Sequence, residues 1–299
     1  NSLGFMVVHH GKIVTENYFN GWNNQLAGDS ESMAKSVLSL LIGIAIDEGK
    51  ISSINDSASK YITEWKNDDR RRIKIKHLIQ MTSGLRNSSS TISPFSDLAK
   101  IHLGFNVKDL ALSIPSEISP GRVFDYNNVN SEILGILLER ATSMKYSDYL
   151  SEKLWKPLGA SDAEVSVDNT GTARTYCCLF AKMVDWSKVG ELILHNGEFN
   201  GKRVVSKDWI AKMITPSRNA NHYGYHVWLA NSKLFRKARM TENFVDESMI
   251  FFDGRSKQRV FILPKWDLVI VRVGDTSDTW KENIVPNILV RDLQKNLNH

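Results

Sequence analysis

Apolar residues fall on nearly every side of the segment 37–46, where Val37, Leu38, Leu40, Leu41, Ile42, Ile44 and Ile46 leave no stripe wide enough to face water. A helix of that kind is buried rather than laid on a surface. Gly49 supplies its C-terminal stop, and Asp29 or Ser30 can cap its start. Before it, Phe5-Met6-Val7-Val8 and Ile13-Val14 flank His10-Gly11-Lys12, and Tyr18 and Phe19 lengthen the second arm. That pattern predicts a β-hairpin. From Ile51 to Thr170 the spacing is helical and loop-rich, predicting helices over 77–81, 107–112, 131–142 and 148–155. Ser147 is the expected cap of the last, which Pro157 and Gly159 end. Two further helices follow, 183–195, stopped by Asn196-Gly197, and 207–214, capped by Ser206 and closed by Pro216. The period then changes to that of strands over 223–230, 249–252, 259–263 and 268–273, the last two joined by the turn Pro264-Lys265-Trp266-Asp267. A final helix is expected over 280–293.

Strands at both ends with helices between them imply an α+β arrangement in one catalytic unit, 1–299. The terminal strands form one antiparallel sheet flanked by helices, a discontinuous subdomain of residues 1–55 and 175–299, and residues 56–174 form an inserted, mainly helical lobe. The cleft between the two is the expected place for a site. No internal repeat or low-complexity linker interrupts the chain.

Composition narrows the function classes. Of 299 residues, 42% are hydrophobic and 24% charged, ordinary globular values. No apolar run approaches the ~18 residues that a membrane helix needs. The net charge of +5 owes much to Arg70-Arg71-Arg72 with Lys74 and Lys76, which follow Asp68-Asp69. Without aromatic interleaving or a recognised motif, that cluster reads as a solvated segment and not a nucleic-acid site. Cys177 and Cys178 are too few for a disulfide framework and, being adjacent, are poorly placed to bond each other without backbone distortion, so packing is their expected role. The chain begins at Asn1, so a start methionine and a targeting segment are expected to have been removed, and compartment is not read from residues alone.

The candidate chemistry sits where the buried helix begins. Ser32-Met33-Ala34-Lys35 places a hydroxyl and an amine one helical turn apart, on one face. A serine is a weak nucleophile at neutral pH, but an amine whose charge is suppressed by burial can take its proton. Short Ser-x-x-Lys strings are common on solvated helices; the apolar run behind this one sets it apart. Near a helix N-terminus, free N–H groups favour a developing anion. Further on, Pro120-Gly121-Arg122-Val123-Phe124-Asp125-Tyr126-Asn127-Asn128 is a turn followed by a phenol and two amides. As structure it is a tight loop with an Asx turn. As chemistry, Tyr126 can shuttle a proton and Asn128 can bond a substrate amide or the lysine. The chain has no Gly-x-Ser-x-Gly elbow, no His-Glu-x-x-His and no phosphate-binding glycine loop, and its histidines, His9-His10 included, lack ligand-like spacing. No metal and no organic cofactor is expected.

Ser32-x-x-Lys35, Tyr126-x-Asn128 and a late strand in this order resemble the penicillin-recognising serine hydrolases, most closely their class C β-lactamase-related branch. Supporting strings are Leu78-Ile79-Gln80-Met81-Thr82-Ser83-Gly84-Leu85, Pro120-Gly121 with Phe124, Trp155-Lys156-Pro157-Leu158-Gly159, and Tyr223-Gly224-Tyr225-His226-Val227-Trp228. The resemblance spans nearly the whole chain. It implies a β-lactamase-like fold, Ser32 as nucleophile, and Lys35 and Tyr126 sharing the general acid and base roles. The third element, usually Lys-Thr-Gly or His-x-Gly on a strand edging the cleft, falls on Arg255-Ser256-Lys257, a departure that puts β-lactam turnover in doubt. By the same resemblance the N–H groups of Ser32 and Gln258 form the oxyanion hole, and Arg255 is a candidate for gripping a substrate carboxylate. Implied substrates are small esters, amides or short peptides, with esterase or amidase ahead of D-alanyl peptidase, and β-lactamase last. A non-catalytic relative binding peptides or a protein partner is the competing class. Family analogy favours a periplasmic or secreted protein; oligomeric state is not read from the sequence.

Overall fold

The protein is described by a computed structural model, which covers residues 1–87, 96–104, 106–230, 239–276 and 279–296. Strands β1 (Ser2–His9) and β2 (Lys12–Tyr18) form the expected hairpin. His10 and Gly11 at its tip have φ of 50° and 68°, the two left-handed residues of a type I′ turn, whose twist matches the strands it joins. A short strand β3 (Gly28–Asp29) leads through a 3₁₀ turn, Glu31–Met33, into α1 (Ala34–Asp47). The middle of the chain supplies α2 (Ile75–Ile79), α3 (Asp97–Leu103), α4 (Val107–Ser113), α5 (Asn128–Thr142) and α6 (Tyr146–Leu150), the last continued by a π-helical turn, Ser151–Trp155. Then come β4 (Glu164–Val165), β5 (Leu179–Ala181), α7 (Met183–Leu194), the small hairpin of β6 (Glu198–Phe199) and β7 (Lys202–Arg203), and α8 (Lys207–Met213). The chain closes with β8 (Trp228–Leu229), β9 (Ile250–Asp253), β10 (Arg259–Leu263), β11 (Leu268–Gly274) and α9 (Ile284–Asn296).

The main sheet has six strands in the order β2-β1-β11-β10-β9-β8, so the first strand pairs with the last, Val7 opposite Ile270 and Val8 opposite Val269. Alternation divides its two faces. Met6, Val8, Val260, Ile262, Val269 and Val271 join α1 and α7 in the larger core, whereas Val7, Phe251, Phe261, Leu268 and Ile270 join Val290 of α9 in the other. With both faces covered, every residue of β10 and β11 is buried, which is why both read as nearly unbroken apolar runs. The smaller sheet, β3-β5-β4, ties the segment before α1 to the segment before α7.

Several expected boundaries move for local reasons. Helix α6 begins after Lys145, with Ser147 inside it rather than capping it; Glu139 Oε1, reaching over from α5, accepts the Tyr146 N–H at 2.8 Å and does the cap's work. Helix α5 begins at Asn128 because Asn127 caps it, its side chain accepting from Val129 N–H at 3.0 Å. The strand expected over 223–230 shrinks to β8, since Gly224 N–H turns back to the Val227 carbonyl at 2.9 Å. Helix α9 starts at Ile284, leaving Glu282 and Asn283 as buried polar anchors before it. The cysteine reading is corrected: Cys177 and Cys178 are joined by a disulfide, and the backbone accommodates it with Cys178 at a φ of 67°. Within the basic cluster Arg70 is structural, bonding Asp68 and the Leu112 and Ile114 carbonyls while lying 5.2 Å from the Trp65 ring, whereas Arg71, Arg72 and Lys74 are exposed, as a solvated segment should be.

Gly43 is where α1 meets α8, because a Cβ there would overlap the Trp209 indole, which bonds the Ser39 carbonyl at 3.1 Å. Gly43→Ala is expected to lower stability by about 1–3 kcal/mol through overpacking, despite alanine's better helix propensity; urea unfolding measures it, and an unchanged or raised midpoint would contradict this packing.

Candidate active site

Ser32 is the middle residue of the 3₁₀ turn that opens α1. The turn is pinned from outside. Glu31, at a φ of 49°, gives its N–H to Asp29 Oδ1 at 2.8 Å, and Ser30 bonds Leu179 in both directions, at 3.0 and 3.2 Å. With the turn fixed, the apolar surface of α1 carries Met33 and Lys35 inward and leaves Ser32 half-buried at the edge. Lys35 is only 1% exposed. Its Nζ lies 2.9 Å from Ser32 Oγ and donates to the Tyr176 carbonyl at 2.7 Å. Burial lowers the Lys35 pKa to about 7, although Glu31, Asp253 and Glu132 favour its charge. A large neutral fraction therefore exists near pH 7, and a neutral amine beside a hydroxyl can accept its proton.

Tyr126 is delivered by the loop before α5. Two backbone bonds hold that loop against the 78–85 string, Gly121 N–H to the Thr82 carbonyl at 2.7 Å and Asp125 N–H to the Met81 carbonyl at 2.8 Å. Asn127 adds bonds to the Leu85 and Arg86 carbonyls at 3.4 and 3.0 Å. The Tyr126 ring centroid then lies 5.2 Å from Lys35 Nζ, boxed by Tyr223 and Trp228 at 6.0 and 5.6 Å. His226 is not a second base: it is fully buried, its Nε2 lies 3.1 Å from Ser131 Oγ, and burial holds its pKa down to about 3.

Ser32 and Tyr126 open into a cavity of about 710 Å³, together with His222, Trp228, Arg239, Asp253, Gly254, Arg255, Ser256, Lys257, Arg259 and Thr276. Of the sequence-derived candidates, Ser32, Lys35, Tyr126 and Arg255 are brought together here. Asn128 is the half-buried first residue of α5 and is not among the lining residues. Gln258 is also drawn elsewhere. Its side-chain amide exchanges two bonds with the Gly274 backbone, at 2.7 and 3.0 Å, and its N–H donates to the Arg255 carbonyl at 3.2 Å. Arg255-Ser256-Lys257 forms a 3₁₀ turn between β9 and β10 instead of the expected strand edge, with Ser256 and Lys257 at φ of 54° and 62°. The backbone thus keeps a glycine-like conformation where lysine stands. Lys257 spans to the Trp280 carbonyl at 2.9 Å.

The cavity wall is cationic but largely compensated. Arg259, fully buried, pairs with Asp253 at 2.7 Å and Glu282 at 2.5 Å, and Arg239 reaches the same two carboxylates at 3.4 and 3.5 Å. Arg255 is exposed and, among the described residues, makes no ion pair at salt-bridge distance. Sequence reasoning passed over His222, Arg239, Asp253 and Arg259. Arg259 reads simply as a strand residue, and only the aromatic string ending at Trp228 hinted at the wall it belongs to.

The family model described as Beta-lactamase matches residues 1–293. The chain belongs to the β-lactamase family. Among relatives, it is 24% identical over 289 residues to the 6-aminohexanoate-dimer hydrolase of Paenarthrobacter ureafaciens, covering 92% of this chain and 72% of that one. Its fold superposes with a TM-score of 0.82 and 23% identity on a putative 6-aminohexanoate-dimer hydrolase from Bacillus anthracis, covering 99% and 80% of the two chains. A family VIII carboxylesterase superposes at a TM-score of 0.75 with 15% identity, covering 96% and 90%. Membership of the β-lactamase family makes the protein a hydrolase. Among the described residues no helix is long and apolar enough to cross a membrane, and no group of three His, Cys, Asp or Glu could hold a metal ion.

Lys35 carries a stability consequence with a definite sign. Its folded-state pKa, about 7, lies below that of an unfolded lysine, so folding opposes its protonation. The penalty is fully present below pH ~7 and vanishes as pH rises through ~10.4, the unfolded value. Lys35→Met should therefore melt higher than the parent at pH 6, by an amount on the order of 2 kcal/mol after the lost hydrogen bonds are deducted, with the gap closing toward pH 10. Melting curves at the two pH values decide it, and a variant less stable at both would contradict a buried, strained charge.

Proposed function

We propose that the protein is a serine hydrolase that cleaves an ester or small amide through an acyl-enzyme on Ser32. The observation that carries this reading is the fully buried Lys35 amine, 2.9 Å from Ser32 Oγ, at the edge of a cavity large enough for a small linear substrate. Neutral Lys35, with Tyr126 beside it, takes the Ser32 proton as Oγ attacks the acyl carbonyl. The pair then returns that proton to the departing alkoxide or amine, and water repeats the cycle on the acyl-enzyme. The developing oxyanion is assigned to the Ser32 N–H, with the Gln258 N–H joining when its 3.2 Å turn bond to Arg255 is exchanged for substrate. Each such donor is worth about 3 kcal/mol in related chemistry.

The cavity wall suggests a substrate bearing a carboxylate remote from the scissile bond, met by Arg255. A linear amide with a terminal carboxylate answers that description, and the name of the Paenarthrobacter relative specifies hydrolysis of a 6-aminohexanoate dimer. The turn at Arg255-Ser256-Lys257 replaces an open strand edge, which argues against a bulky bicyclic lactam. Esterase or amidase activity therefore stands first, D-alanyl peptidase second and β-lactamase last.

A fluorophosphonate probe is expected to label Ser32 in the parent protein and not in Ser32→Ala, whose turnover should fall by at least about 10³-fold. Against a panel of p-nitrophenyl esters, linear amides, D-Ala-D-Ala peptides and a chromogenic cephalosporin, the acid limb of kcat/KM should lie near pH 7, rising with pH as Lys35 loses its proton. Rapid turnover of the cephalosporin alone would overturn the substrate ordering, and absence of both labelling and ester hydrolysis would favour a non-catalytic binding protein. Arg255→Ala should raise KM about tenfold for carboxylate-bearing substrates and leave neutral esters unaffected.

A further inference from the structure

Near enough to Lys35 to favour its charge, but not among the residues that line the cavity, is a buried acid that the scheme above does not use. Glu132 projects from α5, the helix whose N-terminus presents Tyr126, and is completely buried. Its Oε2 accepts the Thr175 N–H at 3.1 Å and lies 3.3 Å from Thr175 Oγ1, which also reaches the Ser131 carbonyl at 2.9 Å. Its Oε1 has no hydrogen-bond partner among the described residues. Gly135, one turn further along α5, permits the approach, since a Cβ there would overlap the Thr175 side chain. The next residue after Thr175 is Tyr176, whose carbonyl receives the Lys35 amine at 2.7 Å.

A neutral amine has two N–H bonds and one lone pair. Engaging one N–H with the Tyr176 carbonyl restricts rotation about the terminal C–N bond, so the lone pair can be held toward Ser32 Oγ. A shift of that carbonyl would leave the amine basic but badly aimed. A buried carboxyl is costly beside an apolar residue of similar size, so its place against Thr175 calls for a task. We propose that Glu132 is a positioning residue, clamping Thr175 and thereby holding the Tyr176 carbonyl where it orients Lys35 toward Ser32. This rests on the reading of Ser32 and Lys35 as nucleophile and base.

Protonation fits the geometry. Burial pushes the Glu132 carboxyl up to about 8, so near neutrality it is mostly uncharged and still offers Oε2 as an acceptor to Thr175. The titratable and charged groups that face it are Lys35 from α1, Arg174 and Tyr176 from the clamped segment, Glu139 from its own helix and Tyr146 from α6. Of these, Arg174 favours its ionised form and Glu139 opposes it.

The test is the rate of Ser32 labelling by a fluorophosphonate, followed across pH 5–9 in the full chain, for the parent, Glu132→Gln, Glu132→Ala and Gly135→Ala. Glutamine retains a neutral acceptor for Thr175, so Glu132→Gln should label within about threefold of the parent and keep the acid limb in place. Glu132→Ala and Gly135→Ala should label on the order of 10- to 100-fold more slowly, with the limb displaced to lower pH as the ammonium loses an acceptor, and with KM for a p-nitrophenyl ester little changed. Should Glu132→Ala fail to fold, Gly135→Ala carries the comparison, because it keeps the carboxyl and displaces only Thr175. Folded variants that label at the parental rate with an unmoved limb would overturn the proposal, as would Glu132→Gln being as slow as Glu132→Ala. A parent protein that does not label at all would remove the Ser32 reading itself, an outcome distinct from either.

Discussion

An amine withdrawn from water beside a hydroxyl is the constraint on which the rest of this molecule depends. Lys35 can stay where it is only because α1 is sheathed in apolar side chains and because its Nζ has the Ser32 oxygen and the Tyr176 carbonyl within hydrogen-bonding reach. Desolvation weakens its hold on a proton and costs the fold stability wherever the amine is charged, a cost that the surrounding core has to outweigh. The sheet with α7 packed on one face, and α5 against α1, supply that core. The site's chemistry and the protein's largest core are thus two descriptions of one packing arrangement.

Around this fixed centre the cavity is held by polar groups that restrain one another. Asp253 and Glu282 neutralise the buried Arg259 and restrain Arg239, while Arg272 is buried under the turn and bonds the Ser256 and Lys257 carbonyls at 2.8 and 2.9 Å. The guanidinium therefore braces from below two residues with left-handed backbone, a conformation disfavoured for side chains with a Cβ. The exposed Arg255 thus projects from a turn that Arg272 holds at its base.

The sequence was most legible where one local rule acted alone. The hairpin at His10-Gly11, the buried helix α1 and the Ser206 cap of α8 all follow from periodicity and turn chemistry, and each lies close to its expected place. Ser32, Lys35 and Tyr126 were singled out because separate strings occur in order, and the fold brings the three side chains together. What escaped depended on partners distant in sequence. Ser147 looked like a cap until Glu139 reached across to do that work. Gln258 entered the reading for its backbone N–H alone, and nothing in the sequence showed that its side-chain amide would be matched to the end of β11. The Cys177–Cys178 bond and the Glu132 clamp both lie in or against the segment that leads into β5. No periodicity marks that segment, because its shape answers to α1 and α5 rather than to itself.

The pairing of β1 with β11 has a consequence for how the chain reaches this state. β1 has as its inner neighbour β11, which is made well after it, so the sheet stays open until β11 has been synthesised. Until then, the β1 edge that will meet β11 lies bare beside an apolar hairpin face, the kind of unpaired edge that recruits other chains. Contacts of such long sequence separation also slow the search for the native topology. A sheet organised in this way is completed only when β1 and β11, far apart in sequence, meet.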